Sequence, residues 1–148
     1  MRATATITAA ALLALAVPAL AAEFRDVAVA AAVLYDGPSE RARKRFIVAR
    51  GTPLEVISVV QRWTKVRDVA GDVLWIPGSE LGPSHHVVVS RALASVRRTP
   101  SDVGELLFQA ERGVLLEVLD QPAPSGWLSV RYRDGTTGFV SAAEVWGH

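Results

Sequence analysis

The chain contains no cysteine. That single absence removes disulfide staples, thiolate metal sites and thiol nucleophiles together. It leaves export open, because many exported proteins carry no disulfide. Histidine is scarce too, limited to His85, His86 and His148. His85 and His86 are adjacent, so in an extended linker they point opposite ways, and His148 stands at the C-terminal end of the sequence. They read as solvent-exposed residues, and no metal or other cofactor is expected. A charge excess is missing as well, with 16 basic and 15 acidic residues. A nucleic-acid partner normally leaves a basic excess, so none is expected. The basic clusters Arg41-Ala42-Arg43-Lys44-Arg45 and Arg97-Arg98 read as solvated loop faces.

Catalytic sets are also lacking. Without cysteine there is no Cys-His pair. No nucleophile-elbow sequence occurs, and the three histidines are the only candidate bases. Two-carboxylate glycoside chemistry needs a cleft, which a barrel with a side-chain-filled interior does not offer. The chain is therefore expected not to be an enzyme.

Half the residues are hydrophobic and 21% are charged, a balance that supports a packed core. Residues 1–22 read as an address. Arg2 supplies a positive start, Ile7 to Val17 is apolar, Pro18 breaks any helix, and Ala19-Leu20-Ala21 is a small-x-small cleavage site. The expectation is a signal peptide over 1–21, with cleavage after Ala21 or a neighbour. The run is too short, and too interrupted by Pro18, for a membrane span, and no span is expected in the mature chain. Removal of 1–21 takes one basic residue, Arg2, and no acidic one, leaving 15 of each. Periplasm is the expected location, with full secretion the alternative.

What organises the remainder is an internal repeat. Pro38 recurs as Pro100, Phe46 as Phe108, and Arg50-Gly51 as Arg112-Gly113, always 62 residues on. After a two-residue insertion the spacing is 64. Trp63 then matches Trp127, Val66-Arg67 matches Val130-Arg131, and Trp75-Ile76 matches Phe139-Val140. Two domains follow, over 24–82 and 88–148, with a linker near Gly82-Pro83-Ser84-His85-His86. Units this small are marginal alone, so a shared interface is expected to support both.

Each unit alternates short β-prone runs with turns. Strands are expected at Leu54–Val60, Trp63–Val69 and Val73–Ile76, and again at Val114–Leu119, Trp127–Tyr132 and Gly138–Val140. Gly71-Asp72 and Asp134-Gly135 close hairpins. The short pieces at 78–81 and 141–145 suit single 3₁₀ turns. No segment of the mature chain has helical periodicity over three turns. The fold class is all-β: two tandem small β-barrels after an N-terminal signal peptide.

The second unit reads Ala94-Ser95-Val96-Arg97-Arg98-Thr99-Pro100-Ser101, then Gly113 to Val118, Gly126-Trp127-Leu128-Ser129-Val130-Arg131, and Gly135-Thr136-Thr137-Gly138-Phe139-Val140. This resembles the pattern of bacterial SH3 domains. The first unit departs from it, with Leu34-Tyr35 for Val-Arg, Arg62 for the Gly before Trp63, and Leu74 for the Gly before the aromatic. Its opening, Ala32-Val33-Leu34-Tyr35-Asp36, is superficially similar to the start of eukaryotic SH3 domains. The resemblance implies SH3-like barrels and a binding role toward peptide or peptidoglycan. The competing reading is a scaffold whose partner is another exported protein.

Aromatic side chains are the remaining candidates for a binding surface. Strand parity puts Leu128, Val130 and Tyr132 on the core face and Trp127 and Ser129 away from it. The same parity puts Thr64 and Val66 inward and Trp63 outward. Trp75 and Phe139 read as core, and Trp146 as closing the barrel or packing on the neighbouring unit. Tyr35, Trp63, Trp127 and Tyr132 are the candidate ligand-binding residues.

Overall fold

The computed structural model describes residues 21–148. Except for Ala21, the expected signal peptide lies outside the described residues. Unit one contains β1 (Glu23–Val27), β2 (Ala31–Tyr35), β3 (Lys44–Ala49), β4 (Pro53–Val60), β5 (Trp63–Arg67), β6 (Val73–Pro77), a 3₁₀ turn (Gly78–Glu80) and β7 (Leu81–Gly82). Unit two repeats the series as β8 (His86–Val89), β9 (Leu93–Arg97), β10 (Leu106–Glu111), β11 (Leu115–Val118), β12 (Trp127–Arg131), β13 (Thr137–Ser141), a 3₁₀ turn (Ala142–Glu144) and β14 (Val145–Trp146). The sheets run β3-β2-β6-β5-β4-β1-β7 and β10-β9-β13-β12-β11-β8-β14. The two orders are the same order written twice, so the repeat is a structural duplication. Among the described residues, no helix is long and apolar enough to cross a membrane.

The barrels differ from expectation in one respect. The end strands, β3 with β7 and β10 with β14, do not pair, so each sheet is bent but open. β7 and β14 are two residues long and pair only with β1 and β8, which leaves too little strand to reach across.

Alternation along the strands builds a separate core in each unit. In unit one Val27, Ala32, Leu34, Leu54, Val66, Leu74 and Ile76 are buried together. In unit two the cluster is Val87, Val89, Ala94, Val96, Ala110, Leu116, Val130, Val140 and Val145. Full burial of one aliphatic side chain contributes about 1.5–3 kcal/mol. Ordering each residue costs a comparable amount, so cores of this size leave little margin.

The sheets differ most at one matched position. A Cβ on Gly138 would sit 2.7 Å from the Arg97 carbonyl oxygen and 2.8 Å from Val96 Cγ1. β13 lies too close to β9 for a side chain there. Its counterpart Leu74 is buried in the first core, so unit one accommodates a full aliphatic group at the matched position.

The two units meet through specific side chains. The Phe24 and Trp146 rings pack edge-to-face, 4.9 Å between centroids. Trp146 thus packs on the neighbouring unit. Gly147, at φ +114°, lies so near Pro53 that a Cβ would approach it to 2.8 Å. Beside this contact, Asp26 Oδ2 accepts the His85 backbone N–H and faces His86 Nδ1, each at 2.8 Å. The Asp26 side chain is only 7% exposed. His86 is therefore half-buried between the units, which corrects its reading as a free linker residue. Its ring is turned inward because β8 begins at His86 and pairs with β11.

Candidate functional site

Two concave surfaces matter, one on each unit, and they are built from different aromatics. The first forms where β5 begins. Trp63 opens β5 directly opposite Pro77, the last residue of β6. Tyr35 ends β2 and packs edge-to-face on Trp63, 5.4 Å between centroids at 86°. Trp63 is consequently 4% exposed. Parity does place it off the core face, but Tyr35 covers that outer face, so Trp63 is not the open platform expected. Trp63 is instead one of the residues lining a cleft of about 330 Å³, with Val59, Thr64 and Pro77 around it. Glu40 and Arg62 stand on the rim, 4.0 Å apart as an exposed ion pair. Gln61 reaches the cleft from the β4–β5 turn with φ +53°, a left-handed conformation uncommon outside glycine.

The second surface is a groove of about 480 Å³ on unit two. Tyr132 follows β12, and its ring lies 5.4 Å from Phe108 of β10. Both pack partly against the core and partly line the groove. Glu111 and Asp134 complete it. Hydrogen bonds from Thr136, its backbone N–H at 2.8 Å, hold the Asp134 carboxyl below the usual range, so it is anionic. The Arg133 guanidinium sits 5.4 Å over the Tyr132 ring.

The four candidates are thus split. Tyr35 and Trp63 come together on unit one, and Tyr132 belongs to the groove on unit two. Trp127 joins neither surface and is half-buried at the start of β12. Ser129 faces away from the core as expected, yet is 3% exposed. The loop over 119–126 covers it, with its hydroxyl donating to Gln121 at 3.3 Å. Trp75 and Phe139 are corrections: their neighbours Leu74, Ile76 and Val140 fill the cores, so parity turns both aromatics to the outer face. There Trp75 lies under the Lys65 ammonium at 5.6 Å.

Sequence reasoning missed two features. Phe108 was visible as the repeat partner of Phe46, but only the fold brings it to Tyr132. The Asp26–His86 pair joins residues on opposite sides of the linker, and no local pattern announces it. The cleft that His86 borders is lined by Leu115, Glu117, Arg131 and Tyr132 and contains no serine or threonine.

The bacterial SH3 domain family matches residues 28–83 and again 90–147. The chain belongs to the bacterial SH3 domain family. Each matched segment covers one sheet apart from its first strand, β1 or β8, and both copies are matched, the drifted first one included. No curated protein matches the chain. Among solved structures, NlpC1 from Trichomonas vaginalis is similar at 14% identity and a TM-score of 0.40, covering 90% of this chain and 50% of that one. NlpC2 from the same organism gives 14%, 0.38, 85% and 48%. An NlpC/P60 family protein from Bacillus cereus gives 14%, 0.38, 84% and 56%. The chain spans about half the length of these structures.

Proposed function

We propose that this tandem bacterial SH3 protein is an exported, non-catalytic binding protein of the periplasm whose ligand is a cell-wall peptide. The observation that carries the reading is the cleft beside Tyr35 and Trp63. It joins Val59, Trp63 and Pro77 to a small set of polar groups, Thr64, Glu40 and Arg62, the mixture a small-ligand or peptide site requires. The tight Tyr35–Trp63 packing fixes the base of the cleft before any ligand arrives, which lowers the ordering cost of binding. The non-catalytic part rests on side chains. The chain has no thiol, and the cleft bordered by the His86–Asp26 pair has no serine or threonine among its lining residues.

Retention on purified peptidoglycan tests the reading. The protein is expected in the pellet. Ser79→Arg, at an exposed position lining the cleft, is expected to fill it and cut retention at least about tenfold, a loss of about 1.4 kcal/mol. Wild-type protein that stays wholly in the supernatant overturns the wall-peptide reading. Crosslinking to one partner from a periplasmic extract would then support the scaffold alternative.

A further inference from the structure

Of the four end strands β3 and β10 are the long ones; Lys44 and Arg45 open β3, and two carboxylates line the groove beside β10. Five consecutive residues of β10, Leu107 to Glu111, line the groove of unit two. Successive side chains on a strand point to opposite faces, so five in a row can line one groove only if the strand presents its edge. β10 is indeed the end strand of its sheet. Phe108 and Tyr132 form the apolar part of this groove, and Glu111 and Asp134 its charged part. Both carboxylates are on exposed residues, and neither forms a salt bridge among the described residues. The nearby cations are Arg133, stacked on Tyr132, and exposed Arg112.

β3 is the matching end strand of unit one. Both strands are six residues long. Lys44 and Arg45 are exposed and form no salt bridge among the described residues, and Phe46 and Ile47 are 42% and 77% exposed. A bare edge with large apolar groups is a pairing site, and its lysine and arginine discourage pairing with a like edge. The same charges match the carboxylates beside β10.

We propose that the protein self-associates head to tail, β3 of one copy adding to the β10 edge of the next. Lys44 and Arg45 face Glu111 and Asp134, and the apolar side chains of β3 meet Phe108 and Tyr132. The contact is heterologous, so a joined pair still has one free donor edge and one free acceptor edge, and association continues into open chains, or into rings where the rotation closes, rather than stopping at a pair.

Sedimentation velocity of the purified protein at up to about 1 mM tests this. Species growing with concentration and shrinking at high salt are expected. Glu111→Lys with Asp134→Lys, and separately Lys44→Glu with Arg45→Glu, should each give monomers with an unchanged circular dichroism spectrum. Mixing the two reversed variants should restore association. The chain lacks native cysteine, so Ile47→Cys mixed with Gln109→Cys should oxidise to the mixed crosslink. Three results overturn the proposal: a wild-type monomer at every concentration, association unaffected by both reversals, or Ile47→Cys crosslinking only to itself. A monomer that binds a synthetic peptide of residues 43–50 in the groove likewise overturns self-association and assigns the edge to another protein's basic strand.

Discussion

The two units share a strand order and a core plan, and they differ in where each places its aromatic pair. Unit one sets Tyr35 on Trp63. Unit two has Arg97 at the Tyr35 position, and its guanidinium donates to the Gly104 carbonyl at 2.8 Å instead. Trp127 loses its cover and is half-buried. The exchange runs the other way across the sheet. Unit two sets Phe108 on Tyr132, whereas unit one has Asp68 at the Tyr132 position. Asp68 accepts the Ala70 and Asp72 amides in its own turn, and Phe46 is left exposed. One frame therefore carries two surfaces, because the core positions constrain each other and the outer positions do not. A fold shared by two copies does not give them a shared ligand.

Moving single residues between units tests how deep that division runs. The largest effect is expected from Gly138→Leu, which installs the unit-one residue where β13 and β9 approach most closely. The backbone oxygen of Arg97 cannot yield as a side chain would. A loss of about 3 kcal/mol or more is expected in urea unfolding. A variant as stable as wild type would show that the two sheets tolerate the same spacing. A smaller effect is expected from Tyr35→Arg, which gives unit one the residue of unit two. Uncovering Trp63 should cost about 1–2 kcal/mol and shift tryptophan emission to the red. Unchanged emission would mean that Tyr35 is not what shields the indole.

Smallest is Glu80→Gln. Burial, reinforced by the Glu40 charge, raises the Glu80 carboxyl above its ordinary value, and its Oε2 is buried without a partner. The matched Glu144 instead accepts the Ser95 amide at 3.2 Å. A raised carboxyl leaves stability intact below the unfolded value and removes it as pH rises through the folded one. Glu80→Gln should therefore raise Tm slightly at neutral pH, and the gain should vanish below the carboxylate range. Glu144→Gln should give no such gain. Equal effects in the two variants would erase the distinction.

The frame was legible because periodicity and turns report on the core. Val66 and Val130 fell on the inner face, Gly71 and Gly135 took positive φ in their turns, and both 3₁₀ turns formed where short polar pieces suggested them. The outer face was less legible. Parity states that Trp63 leaves the core but not that Tyr35 lies over it. For Trp75 and Phe139 an aromatic in an apolar run invited a core reading that their own neighbours refuted. His86 was out of reach for another reason: its partner Asp26 is 60 residues away, and a linker pattern has no bearing on such a contact.

The Phe24–Trp146 contact has a consequence for the order of folding. It joins the first strand of the described chain to its last, so it closes a loop of nearly all the described residues. Contacts of that span form late. Unit one can complete its own sheet while its outer flank still waits for residues at the far end, and a chain shortened to Val145 would never cover Phe24. Trp146 is also half of β14, so its removal would shorten the second sheet as well as bare the first unit's flank, and the two units share one fastening.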